Sequence, residues 1–371
     1  GVKEIPVQYT RKQIFEFAES ELLAIENELK VPGSNEYGRV DRVAGWFLLA
    51  RMYLNAQTWI NENKYQEAYI YATKVIADGH YPLASDYREI FLADNNTCKE
   101  IIWPLVQDGL RAQSSAGTNF YVKAFVNGPM DELYKTGVGS RGWGNVRAKV
   151  SLVDAFDADD VMFDGNDTWG NNKKDKRAQF MTALPNQVKD TWDVNMDMTS
   201  TFTCGYGYIK WRNVTKEDEL SASGDAYTSI DFPLFRTADA YLMAAEAILR
   251  GASGTKSEAL GYVNEVRTRA YMSGKYAKNG VRSDVSGEIG ANELDLDFLL
   301  LERQKELASE LIRRTDLIRF GKYTKGNNWD WKNGVRLGED VDDKYNLFPI
   351  PESELTNNPT LVQNDGYKVI K

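Results

Sequence analysis

The chain has 371 residues, 42% of them hydrophobic, enough to bury a large core, and a formal charge of −9 that opposes binding to phosphate backbones or anionic lipid surfaces. Aromatic residues reach 12%, with 9 Trp and 20 Tyr against one His and 2 Cys, which favours recognition by flat rings over metal or thiol chemistry. Cys98 and Cys204 stand far apart outside any CxxC pair, and His80 cannot complete a zinc site with them.

In chain order, Thr10 with Gln13 three residues later marks a capping-box start. Ile14, Phe17, Ala18, Leu22, Ile25 and Leu29 then predict one apolar helix face, ended by Pro32 and Gly33. A second helix is predicted over 39–55 from Val43, Trp46, Phe47, Ala50, Tyr53 and Leu54, and a third over 65–77 from Ala68, Tyr69, Ala72, Val75 and Ile76. Such a helical hairpin cannot bury its face alone and must stack on another. Over 82–233, Gly, Asn and aromatics alternate with short apolar runs such as EIIWPLV and YGYIKW, predicting irregular structure with a few short strands. Binding sites concentrate in long ordered loops on rigid scaffolds, so the site is sought there.

The helical text returns as RTADAYLMAAEAILRG and SEALGYVNEVRTRAYM, with Ala247 and Ala259 at positions where paired helices touch; the pattern resembles a tetratricopeptide pair. Next, ELDLDFLLLERQKELASELIRRTDLIRF predicts one long amphipathic helix with an apolar stripe of Leu294, Phe298, Leu301, Ala308, Leu311, Ile312 and Ile318. On its polar face Glu310 reaches Arg314, and Asp316 lies three residues from Arg313 and Arg319. Paired catalytic carboxylates from Glu302, Glu306 or Glu310 would have to stand ~5–9.5 Å apart across an open cleft, and ion-pair scaffolding is the preferred reading. The tail LFPIPESELTNNPTLVQNDGY keeps Leu347, Phe348, Ile350, Leu355, Leu361 and Tyr367 between prolines, which predicts a coil pinned on the helices. The acidic DAFDADDVMFDGNDTWGNN fails the EF-hand spacing from Asp157 at Val161 and reads as a solvated loop. Trp169, Trp192, Trp329 and Trp331 read as buried anchors.

Several of these segments carry a resemblance. LERQKELASELIRRTDLIRFGKY is similar to the ER(x)xEL(x)xE(x)xR(x)xDL(x)R(F/W)G signature of the SusD/RagB family, and the tail resembles that family's ending, PIPESEL, NNP and QNDGY. YGRVDRVAGWFLLARMYLNA, KYQEAYIYATKVI, LADNNTCKEIIWPLVQDG, LVDAF with DKR downstream, and FPLFRTADAYLMAAEA follow in the family's order. The resemblance implies a mainly α fold in which tetratricopeptide-like helical hairpins support a large irregular loop region with a few short strands, a SusD-like α/α superhelix. It divides the single domain 1–371 into a helical scaffold at 10–80 and 234–321, a loop-rich ligand-binding region at 81–233 and a packed C-terminal coil at 322–371. It also implies that the family's N-terminal part, with its lipid anchor, is missing from this chain.

In function the resemblance implies a non-enzymatic, surface-exposed outer-membrane lipoprotein of Bacteroidetes. It would bind an oligosaccharide or polysaccharide and deliver it to a SusC-like TonB-dependent transporter, with no cofactor, no metal, no nucleic acid and no membrane contact beyond the lipid anchor. Trp143 matches a sugar-stacking tryptophan of the family's starch-binding member; Arg141 and Asn145 flank it as hydrogen-bonding groups, and glycines 137, 139, 142 and 144 leave room for a ligand. Ser115 falls where that member carries a tyrosine, so a stack is lost there. Trp143 also reads as an anchor of its own loop. Two other readings stay open on residues alone: a glycoside hydrolase, and a peptide-binding tetratricopeptide scaffold.

Overall fold

The computed structural model describes residues 5–126, 131, 134–161, 173–181, 205–272, 285–326 and 328–368. Its principal helices are α1 (Arg11–Ile25), α2 (Arg42–Ile60), α3 (Tyr65–Asp78), α4 (Thr118–Ala124), α5 (Thr237–Leu249), α6 (Lys256–Met272), α7 (Leu296–Leu307), α8 (Arg313–Arg319) and α9 (Glu352–Asn357). The strands are β1 (Ile101–Leu105), β2 (Phe180–Met181), β3 (Gly207–Tyr208) and β4 (Phe232–Arg236). No described helix is long and apolar enough to cross a membrane.

The capping box forms as the sequence predicts, with Thr10 accepting from the Gln13 backbone and Gln13 accepting from the Thr10 backbone. The inward face of α1 differs from the one predicted. Phe15 is buried, with Ala18 and Leu22 packed partly against the core, while Ile14 and Phe17 are exposed. Asp41 caps α2 through the Val43 and Ala44 amides, and Asn61, with φ 58°, ends it five residues beyond the predicted stop at 55. The hairpin α2–α3 packs on α5 through Val43, Phe47, Ala50, Ala68, Ala72, Met243 and Ala247. The other side of α5 meets α6 and α7 through Leu242, Ala245, Ala259, Val263 and Leu299. Ala247 and Ala259 are both fully buried, as the small-residue pattern requires.

The predicted long C-terminal helix is broken. Helix α7 ends at Leu307, α8 begins at Arg313, and Ser309 and Leu311 take left-handed φ values of 58° and 63°. Both periodicities can be satisfied only if the chain turns, because the charges thought to lace an outer face are buried. Glu302, Arg303, Glu306, Glu310, Asp316 and Arg319 are all buried, whereas Leu301 and Leu311 of the expected apolar stripe are 38% and 76% exposed. The expected Glu310–Arg314 pair is absent among the described contacts. Glu310 instead holds Lys210 and Arg236, and Arg314 donates to the Tyr345 carbonyl at 2.9 Å.

Those charges form a buried network. Arg236 reaches Glu100 (2.9 Å), Glu306 (2.6 Å) and Glu310 (2.7 Å); Arg177 reaches Asp175 (2.8 Å), Glu302 (2.6 Å) and Glu306 (3.2 Å); Arg267 takes Glu302 (2.6 Å), and Arg269 takes Glu100 (2.6 Å) and Glu306. Beside it, Arg303 binds Asp239 and Asp316, and Arg319 binds Glu246 and Asp316. Each charge is matched and hydrogen-bonded, the condition under which ions tolerate a dry interior. Glu302, Glu306 and Glu310 therefore face arginines, and no open cleft separates them as glycoside chemistry requires.

The network welds scaffold to loop region. Strand β1 pairs antiparallel with β4, Ile101 opposite Arg236 and Leu105 opposite Phe232, so the strand leading into α5 is also an edge of the irregular region. That region has its own core of Tyr87, Phe91, Val122, Tyr134, Val138, Ile209, Trp211 and Phe232. The tail is ordered but shallow. Thr360 and Asn358 donate to the Pro6 carbonyl at 3.0 and 2.8 Å, and Arg314 covers Phe348 at 4.3 Å, yet Phe348 stays 72% exposed.

Candidate functional site

The loop after the short turn at Gly139–Arg141 is tied to the end of α4 and the residues just beyond it. The Trp143 amide donates to the Lys123 carbonyl at 2.7 Å, Gly144 to Val126 at 2.8 Å and Asn145 to Ala124 at 2.8 Å. With its backbone held at three successive residues, Trp143 presents its ring at the surface, 37% exposed. Phe120 of α4, itself 43% exposed, stands edge-on to it with centroids 6.1 Å apart and planes 60° from parallel. Two accessible rings at an angle make a bent apolar platform. Neither the Trp143 indole N–H nor the Asn145 side-chain amide bonds to another described residue, so donors stand free at its rim.

Arg141 lies on the same loop and gives its Nε to Asp225 at 3.0 Å, both groups largely exposed. Lys123 sits below the platform and donates to the Ala226 carbonyl; burial lowers its pKa. The glycines do other work than the sequence reading assigns. A Cβ on Gly137, at φ 79°, would lie 2.5 Å from the Asn213 carbonyl oxygen, and one on Gly139, at φ 54°, 2.9 Å from the Asp225 carboxylate. They admit the protein's own loops.

Trp143, Arg141 and Asn145 are thus brought together on one exposed loop. Ser115 lies on a different, exposed loop that leads into α4, five residues before Phe120. Phe120 and Asp225 are the residues that sequence reading passed over. A signal for the first existed: Phe120 and Tyr121 are adjacent in a helix, where neighbours point some 100° apart and cannot both enter the core. Tyr121 takes the inside, packing against Trp211 at 5.4 Å.

The acidic stretch turns one carboxylate inward. Asp160 accepts from the Lys174 and Asp175 amides at 2.6 and 3.0 Å, and 162–172 lie outside the described residues. Cys204, Trp169 and Trp192 also lie outside them, while burial pushes the Cys98 thiol far above its ordinary range. Trp329 and Trp331 are half-buried.

The SusD family profile matches residues 99–367, most of the chain. The chain belongs to the SusD family. Its members are non-catalytic glycan-binding proteins of polysaccharide utilization in Bacteroidetes. The chain is 32% identical over 395 residues to the starch-binding protein SusD of Bacteroides thetaiotaomicron, covering 98% of this chain and 67% of that one. It is 25% identical over 348 residues to SusD-like protein P25 of Formosa agariphila, covering 89% of this chain and 59% of that one. The chain thus spans about two-thirds or less of the length of these relatives.

Among solved structures, a SusD superfamily protein from Bacteroides vulgatus superposes with a TM-score of 0.68 at 19% identity, over 100% of this chain and 68% of that one. Surface glycan-binding protein A of Bacteroides thetaiotaomicron, in complex with laminarihexaose, superposes with a TM-score of 0.67 at 22% identity, over 96% of this chain and 72% of that one. These likenesses establish the SusD-like, mainly helical fold.

Proposed function

We propose that this protein captures an oligosaccharide on the platform of Trp143 and Phe120 and passes it to a SusC-like TonB-dependent transporter at the cell surface. The observation that carries the reading is the angled pair of exposed rings, since a pyranose offers an apolar C–H face that an aromatic ring covers. Arg141, Asn145 and the indole N–H supply donors to the hydroxyls around that face. Stacking sets the affinity and the donors set which sugar is kept. Starch-type glucans are the first ligand class to test, given the similarity to a starch-binding relative. Ser115 offers no ring to stack, and Phe120 supplies one from helix α4.

Calorimetric titration with malto-oligosaccharides and laminarihexaose, repeated on Trp143→Ala, tests this. Binding abolished by the substitution, with an unchanged melting temperature, supports the platform. Full binding by the variant discards it. Co-purification with a transporter of the SusC type tests delivery.

A further inference from the structure

The arginines of the buried network each meet a carboxylate, but Arg313 does not. Its guanidinium donates to the Leu300 carbonyl at 2.8 Å and to the Gln304 side-chain oxygen at 2.6 Å, both neutral acceptors. Burial pushes its pKa down to about 10. Arg313 lines a cavity of about 340 Å³ between the segment 147–152, which enters a single helical turn at Val150–Val153, and the break that separates α7 from α8. Phe125, Leu152, Leu307 and Trp329 give that cavity an apolar lining.

The polar part of the wall is basic. Arg147, Lys149, Arg303 and Arg313 contribute to it; Arg303 is neutralised by Asp239 and Asp316, and Asp316, also bound to Arg319, acts on Arg313 through its charge without a hydrogen bond to it, which leaves Arg313 and Lys149 as the cations without a bonded carboxylate. Lys149 bonds the Asp330 main-chain carbonyl at 3.1 Å and has no carboxylate partner among the described residues. In a chain of formal charge −9, such a wall runs against the overall sign. A desolvated cation facing neutral acceptors is in an unfavourable state that a bound anion relieves.

A second observation points to the same place. Ala308 and Ser309 form part of the wall, and the left-handed φ of Ser309, repeated at Leu311 two residues on, is strain of the kind that gathers at ligand sites. It is held from behind. The Trp211 indole donates to the Ser309 hydroxyl at 3.0 Å, and the buried Lys210 ammonium donates to the Ala308 carbonyl at 2.8 Å.

We propose that this cavity binds a small carboxylate carried on a single ring, with Arg313 and Lys149 as its counter-charges and Phe125 and Trp329 against the ring faces. The volume sits at the low end of ligand cavities, roughly 300–1,000 Å³, which suits one ring and not a chain of them. An acidic monosaccharide and an aromatic acid share this chemistry. The ring acid does not use the Trp143 platform, so failure of one site leaves the other standing.

The test is ligand-observed NMR and calorimetry of the whole chain with glucuronate, benzoate and glucose. The acids bind and glucose does not; Arg313→Gln or Lys149→Gln weakens binding by about tenfold or more, as expected for a lost charge-assisted hydrogen bond, while Trp143→Ala leaves it unchanged. Glucuronate alone binding identifies an acidic sugar, and benzoate alone identifies an aromatic acid. Lys149 is exposed, so its variant keeps the protein folded should Arg313→Gln unfold it. Glucose binding as well as glucuronate, no binding of either acid, or wild-type affinity in a folded variant would overturn the proposal.

Discussion

Arg236 and Glu310 meet in a two-point pair, Nε to one carboxylate oxygen at 2.7 Å and a terminal nitrogen to the other at 2.8 Å, with both side chains buried. Arg236 is the last residue of β4, while Glu310 belongs to the link between α7 and α8, so the pair joins the loop region's edge strand to the helical scaffold. Arg236→Met should leave Glu100, Glu306 and Glu310 short of a cation at once. A loss of about 3–5 kcal/mol is expected, because removing one partner strands buried charge. Denaturant unfolding measures it, and a loss under about 1 kcal/mol would show that the network contributes little to stability.

Acid should unfold the protein through the same network. Arginine neighbours overcome desolvation and hold Glu246 and Asp239 down at about 2, against ordinary values of 4.5 and 3.8. A depressed carboxylate contributes stability that is fully present above the unfolded value and is lost as pH falls through the folded one. The denaturation midpoint should therefore hold from pH 7 to about 5 and fall steeply toward pH 2. A midpoint that rises on acidification contradicts this.

Lys210 should act in the same direction, but in the alkaline range. Burial lowers its pKa to about 8 from 10.5, with Glu310 and Glu306 opposing the shift and Arg236 adding to it. Between those values the unfolded chain binds the proton and the folded chain does not, so this group's contribution to stability rises with pH. Subtracting the stability of Lys210→Met from that of the wild type at each pH isolates the term. The difference should climb from pH 8 toward pH 10, and a flat or falling difference would refute the shift.

Gly137→Ala should cost about 1–3 kcal/mol, since an added Cβ meets a backbone carbonyl that cannot swing away and the φ of 79° is strained for alanine. The loop that carries Trp143 follows directly, so oligosaccharide affinity should fall with stability. Thermal melting and titration check both.

Phe120→Ala should lower oligosaccharide affinity about five- to tenfold while leaving the melting temperature within a few degrees, because an exposed ring offers about 1 kcal/mol of stacking but little core. Ser115→Tyr should raise affinity for malto-oligosaccharides if its loop faces the same ligand. Unchanged affinity in Phe120→Ala would restrict the platform to Trp143.

Much of the fold was legible because its signals are local. The Thr10 and Gln13 cap depends on residues three apart, and the buried faces of α2, α3, α5 and α6 repeat at helical spacing. Trp143 was singled out by its match to a family position, and Arg141 and Asn145 by their place beside it in the chain. Phe120 was hidden because its exposure depends on which of two adjacent rings the Trp211 cluster accepts.

What the sequence by itself determined is the helices α1, α2, α3, α5 and α6, their order, the small-residue contacts between them and membership in a family of glycan-binding proteins. Only the tertiary structure decided which side of the α7 and α8 segment faces inward. Glu306 finds Arg236 and Arg177 at separations of 70 and 129 residues, and no periodicity within one segment encodes partners so distant. A helix laced with charge looks solvated until other elements bring matching charges to it. Once they do, the chain breaks at Ser309 and Leu311 to keep those charges inside, and the break leaves Arg313 beside a cavity without a carboxylate of its own.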